Sequence, residues 1–153
     1  MRITNALNGC WHESHRGASV IRYRDGYEYQ LADTYRLHVS IKPEDAISNE
    51  YLTLTSRGRL TIRKGYAWDG PSGPAIDTPN FMRGSLVHDA LYQLMREKLL
   101  DQKWRDEADS ELRRICLEDG MSQIRSWWVH QGVRFGGGPS ADPEQDRPVL
   151  TAP

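Results

Sequence analysis

The sequence predicts an α+β domain, a small antiparallel β-meander followed by a three-helix segment. Three observations carry that expectation. Apolar residues alternate with polar ones in the first half, the period of a half-buried strand. A turn rich in glycine and proline, Asp69-Gly70-Pro71-Ser72-Gly73-Pro74, then interrupts the pattern. Beyond it the apolar residues recur at helical spacing between recognisable caps.

The strands come first. Residues 18–24 and 27–31 flank Asp25-Gly26, a hairpin turn signal. Tyr35, Leu37, Val39 and Ile41 alternate with Arg36, His38 and Ser40, and Pro43 ends the run. Tyr51, Leu52 and Leu54 form a short strand whose partner carries Leu60 and Ile62, with Arg57-Gly58 at the turn. Tyr66 and Trp68 close the sheet, so residues 18 to 69 read as one meander.

The helices follow. Thr78-Pro79-Asn80 offers a cap and a proline suited to a first helical turn. Over residues 81–100, Val87, Leu91, Leu94 and Met95 mark one face. Asp101 caps the next helix, where Ala108, Leu112, Ile115 and Cys116 recur on one side, and Gly120 ends it. Ser122 caps a third helix along which Ile124, Trp128 and Phe135 line up, until Gly136-Gly137-Gly138 stops it. The expected organisation is one domain over residues 1–138 and an extended, Pro-rich tail over 139–153.

Composition bounds the function. The chain has 153 residues, 38% hydrophobic and 27% charged, which fits one globular domain. A net charge of -1 gives no basic field to draw nucleic acid. Two cysteines, Cys10 and Cys116, imply no disulfide scaffold, and Cys116 reads as a buried free thiol. The N-terminal residues have no apolar core of the signal-peptide kind, and no apolar run approaches the roughly 20 residues that span a bilayer.

The chemistry concentrates in His88-Asp89-Ala90-Leu91-Tyr92 and Asp109. His88 and Tyr92 are four apart and share a helix face. Asp89 is turned about 100° from His88 and faces an adjacent sector of the same wall. Asp109 lies on the next helix, and a turn near Lys98 to Leu99 brings it level with His88. It shares a face with Leu112 and Cys116, so it points inward and needs a partner, for which His88 is the candidate. An Asp that fixes the tautomer of a His leaves the other ring nitrogen as a general base. Asp89, with backbone carbonyls from the turn around Asp69 and Gly70, suits a hard cation such as Ca²⁺. A structural His-Asp cluster is the competing reading.

Weaker signals have plainer explanations. Cys10, His12 and His15 lack a fourth ligand nearby. A phosphohydrolase of the HD type needs further helical His ligands, and His38 lies on a strand. Trp127-Trp128 is expected to put one ring inside and one near the surface, where it could anchor a partner or a membrane. No Gly-rich phosphate motif and no nucleophilic serine elbow is present.

Two resemblances rest on these residues. Tyr66-Ala67-Trp68-Asp69-Gly70-Pro71-Ser72-Gly73-Pro74, then His88-Asp89-Ala90-Leu91-Tyr92, then Ala108-Asp109 and Gly120, resemble as an ordered set an uncharacterised family of tailed phages and prophages. The chain departs from that family's Asp-x-Ala-Ser-x-Pro turn. The resemblance covers roughly residues 60–121 and implies a phage origin, with synthesis in the host cytoplasm and a place in the virion as the expected locations. The His-Asp-x-x-Tyr helix with an Asp on the next helix is similar to the catalytic helices of secreted phospholipases A2. That resemblance implies His88 as base, Asp109 as its orienter, Asp89 as calcium ligand and Tyr92 as a supporting hydroxyl. The family's disulfides and its all-helical setting are missing here. The leading expectation is a calcium-dependent hydrolase of host-envelope lipid or ester. The alternatives are a non-enzymatic tail or head-tail component, joined to other virion proteins through the C-terminal tail, and a cell-wall hydrolase.

Overall fold

The computed structural model describes residues 23–24, 29–70 and 78–145. The Asp25-Gly26 turn, the Cys10-His12-His15 trio, the turn from Pro71 to Pro74 and the last eight residues lie outside the described residues.

Seven short strands precede the helices: β1 (Tyr23–Arg24), β2 (Tyr29–Leu31), β3 (Tyr35–His38), β4 (Ile47–Ser48), β5 (Leu52–Leu54), β6 (Arg59–Ile62) and β7 (Ala67–Trp68). All pair antiparallel, in two sheets of order β1-β2-β7 and β3-β6-β5-β4. The single meander expected over residues 18 to 69 is thus divided. After β6 the chain turns at Gly65, and Leu31 exchanges backbone hydrogen bonds with Gly65 and Tyr66. That exchange carries β7 to β2 instead of back to β3.

The period-2 residues bury as the pattern requires. Leu52, Leu54, Leu60 and Ile62 are fully buried and share one core with Leu86, Val87, Ala90, Leu91 and Leu94 of helix α1 (Pro79–Arg96). Each such side chain stabilises the fold by about 1.5–3 kcal/mol. Thr78 is the N-cap residue of α1 and Pro79 opens it, although the Thr78 hydroxyl bonds Asn80 Oδ1 and not the helix backbone. The one apolar face expected for α1 is in fact nearly its whole circumference, because the sheets cover one side and further helices the other. This is why His88 enters the interior. Trp68 Nε1 donates to Ser85 Oγ at 3.2 Å, joining β7 to α1. The Arg83 guanidinium binds Asp119, Glu118 and the Tyr35 hydroxyl, tying α1 to the end of α2 (Arg105–Glu118) and to β3.

Helix α1 stops at Arg96, four residues before the expected end, and Lys98 takes a positive φ of 59°. Asp101 Oδ1 accepts from Lys103 N at 2.8 Å and so caps a 3-10 turn, Gln102–Trp104, that leads into α2 (Arg105–Glu118). At the far end of α2, Gly120 has φ 87°. There Met121 N bonds Cys116 O and Gly120 N bonds Leu117 O. These are the two hydrogen bonds of a Schellman motif, and the buried Met121 side chain packs in one cluster with Phe81, Leu112 and Cys116.

Helix α3 (Gln123–Gly136) is capped by Ser122, whose hydroxyl accepts from Arg125 N. Its orientation corrects the sequence reading. Ile124, Trp128 and Phe135 are 74%, 65% and 87% exposed, and Ser126, Val129 and Val133 take the inner face. Both rings of the Trp127-Trp128 pair are exposed, not one. The chain is also not extended from Pro139. Gly138–Ala141 forms a short helix, α4, and Pro143–Gln145 a 3-10 turn. Both pack on α1: Arg96 donates to Ser140 O, Gln102 donates to Ala141 O, and Ala141 is fully buried.

Candidate active site

The α1–α2 hairpin assembles the site. Close packing holds the two helices together at Gly84, where a Cβ would stand 2.8 Å from Cys116 Sγ and 2.9 Å from Leu112 Cδ1. With that spacing, His88 on α1 reaches Asp109 on α2.

His88 Nε2 lies 3.0 Å from Asp109 Oδ1, and the Tyr92 hydroxyl donates to the same oxygen at 2.6 Å. Asp109 is fully buried, and its Oδ2 has no hydrogen-bond partner among the described residues. A carboxylate oxygen accepts, so the neutral His88 ring carries its proton on Nε2 and leaves Nδ1 with a free lone pair. The His88 and Tyr92 rings lie 4.0 Å apart between centroids, which fixes the imidazole plane. Tyr92 OH in turn accepts from Arg105 Nε at 3.4 Å.

The Nδ1 edge of His88 faces Asp89, whose Oδ1 is 3.8 Å away, a charge contact beyond hydrogen-bond range. Burial disfavours the His88 imidazolium, but the hydrogen bond to Asp109 and the Asp89 carboxylate favour it. The balance raises His88 above its ordinary value. Burial, joined by the bond to Asp109, also holds Tyr92 well above the usual tyrosine range, so it stays a hydrogen-bond donor.

A cavity of about 900 Å³ opens beside this cluster, with mostly apolar walls. Helix α1 contributes Ser85, His88, Asp89 and Tyr92, and α3 contributes Trp128, Val129, Val133 and Phe135. His88 therefore forms part of the wall, and Asp109 stands behind it, shut off from solvent.

Of the residues expected at a cation, Asp89 and Gly70 line this cavity, whereas Asp69 is exposed and does not. Gly70 has φ 71°, and a Cβ on it would stand 2.5 Å from the Tyr29 ring, so glycine alone fits. Among the described residues no three His, Cys, Asp or Glu side chains group to hold a metal ion. A cation here would rest on Asp89 and backbone oxygens, the donor set expected from the sequence.

Two contributions escaped the sequence reading. Arg105 sits four residues before Asp109, a spacing that could have placed it beside the cluster. The second is α3, for which one tryptophan ring was expected inside; both Trp127 and Trp128 are exposed, and with Val129, Val133 and Phe135 they line the cavity.

No protein-family model matches the chain, and comparisons with curated proteins and with solved structures likewise give no match.

Proposed function

We propose that this phage-type chain is a hydrolase of esters that carry an apolar arm, with His88 as general base and Asp109 as its orienting partner. The observation that carries the reading is the pairing of His88 Nε2 with a buried carboxylate while the same imidazole lines a large, mostly apolar cavity. The cavity takes the apolar arm. His88 Nδ1 removes a proton from a water whose oxygen attacks the ester carbonyl carbon. The bond from that carbon to the alcohol oxygen then breaks, and the proton passes from Nδ1 to the departing alkoxide, giving acid and alcohol. Asp109 holds the tautomer and stabilises the imidazolium, and Tyr92 steadies Asp109. Asp89 and the backbone at Gly70 are the proposed calcium ligands, and a hard cation there would polarise the carbonyl. Host-envelope lipid is the substrate that suits an apolar cavity, and the ordered motif set supports a phage origin, with synthesis in the host and a place in the virion.

The test is hydrolysis of p-nitrophenyl esters of increasing chain length in calcium, by wild type and by His88→Gln. Turnover that rises with chain length and is lost in the variant supports the reading; a wild-type rate equal to that of His88→Gln overturns it.

A second reading has its own observation. Asp109 and Tyr92 are wholly buried and knit α1 to α2, as a structural cluster in a non-enzymatic virion protein would. That reading expects no hydrolysis and a large stability loss when the cluster is cut.

A further inference from the structure

The Tyr92 hydroxyl is enclosed on three sides. It donates to Asp109 Oδ1 at 2.6 Å and accepts from Arg105 Nε at 3.4 Å, and a Cβ on Gly137 would stand 2.7 Å from it. A phenol has one proton. With Arg105 donating to the oxygen, that proton is left for the carboxylate.

Arg105 is itself held in place. It opens α2, and its Nη2 donates to Arg134 O at 2.7 Å, a carbonyl in the last turn of α3, where helix carbonyls lack intrahelical partners. Nε and Nη2 share one edge of the planar guanidinium, so the two bonds fix that edge between Tyr92 and α3. Both acceptors are neutral oxygens. The carboxylate next along the chain, Asp106, faces the Arg134 guanidinium at 3.8 Å instead. Arg105 is not among the described residues that wall the cavity, so its action on the site runs through Tyr92.

Asp109 carries the arrangement on to His88. Its Oδ2 has no hydrogen-bond partner among the described residues, so the two bonds at Oδ1 set the plane of the carboxylate. The bond from Tyr92 is the shorter, at 2.6 Å against 3.0 Å for His88 Nε2. Whatever steers the Tyr92 hydroxyl therefore steers the acceptor that holds the imidazole.

We propose that Arg105 is a positioning residue for His88, acting through the Tyr92 hydroxyl and Asp109 Oδ1. Its effect on turnover rests on the hydrolase reading; the positioning itself does not. A lysine in its place would keep the charge but lose the fork that meets Tyr92 and Arg134 O together.

The experiment has two readouts on the full chain. The first is the proton NMR signal of His88 Nε2–H, assigned by its loss in His88→Gln. The bond to Asp109 protects this proton in the wild type. Arg105→Met and Arg105→Lys should both broaden the signal through faster exchange with water, while the circular dichroism stays that of wild type. A signal as sharp in Arg105→Met as in the wild type overturns the proposal. The second readout is steady-state hydrolysis of a short p-nitrophenyl ester. Arg105→Met should lower kcat about tenfold and leave KM within about twofold of wild type. In the Tyr92→Phe background the same change should cost nothing further, because the route through the hydroxyl is already cut. A raised KM at unchanged kcat, or a full further loss in the Tyr92→Phe background, overturns the proposal. If the wild type hydrolyses no ester while the His88 signal still responds to Arg105, the hydrolase reading falls and the positioning stands.

Discussion

His88 and Asp109 lie 21 positions apart on neighbouring helices and meet at 3.0 Å, the histidine on a cavity wall and the aspartate sealed behind it. Among the described residues only one oxygen of Asp109 is used, and it takes the hydrogen bonds of both His88 and Tyr92. Cutting this cluster therefore separates two effects, one on stability and one on chemistry.

Asp109→Ala leaves two buried donors without an acceptor. Its expected cost is about 3–5 kcal/mol in guanidinium unfolding. Asp109→Asn keeps the volume and can still accept through its carbonyl, so it should fold with a smaller loss but hold His88 less firmly as a base. His88→Gln keeps an amide that can donate toward Asp109 but cannot take a proton. Turnover should drop about 10²–10⁴-fold, and a far smaller drop would remove His88 from the chemistry.

Calcium binding should depend on Asp89. Calorimetric titration of the wild type is expected to show one site, lost in Asp89→Asn and retained in Asp69→Asn, because Asp89 lines the cavity and Asp69 does not. Loss in Asp69→Asn with retention in Asp89→Asn would move the cation out of the cavity.

The Cys116 thiol gives a pH prediction. Burial, with the Asp119 charge second, pushes it from 9.0 up to about 12. The folded protein thus keeps a proton that the unfolded chain releases above pH 9. This contribution to stability is fully present below pH 9 and is lost as pH rises from there toward 12. Cys116→Ala should flatten that alkaline decline, and iodoacetamide should label Cys116 of the native wild type at pH 9, read by peptide mass, only as fast as the protein unfolds.

Gly84 sets the distance between α1 and α2. Gly84→Ala would thrust a methyl group into Cys116 Sγ and Leu112 Cδ1. The expected loss is about 1–3 kcal/mol by denaturation, with a fall in turnover as His88 and Asp109 separate. Adding Cys116→Ala removes the nearer obstacle and should restore part of both. Strict additivity in that double-mutant cycle would mean that the two positions do not press on each other.

Much of the fold was legible in the sequence because its signals are local. Thr78-Pro79, Asp101, Ser122 and Gly120 mark helix ends through hydrogen bonds that span a few residues, and each sits at a helix end or at the turn leading into one. The pairing of His88 with Asp109 was legible too, since two helices joined by a short turn near Lys98 leave their facing residues little freedom. The outward turn of α3 was not. Its stripe of Ile124, Trp128 and Phe135 has the same period whether it meets a core or a solvent, and period alone carries no sign.

By itself, then, the sequence determined the order of a β-rich half and three main helices, most of the caps that mark them, and that a histidine and an aspartate would meet inside an α+β domain. Tertiary structure alone decided that the strands split into two sheets, that Gly70 and not Asp69 lines the cavity, and that residues 138–145 pack on α1. It also turned the apolar side of α3 outward as the rim of the site. The reason is the range of the interactions. Caps and periodicity are settled within a turn or two of chain, whereas the facing of a helix and the partner of a strand depend on surfaces supplied by distant residues, which compete for the same buried area.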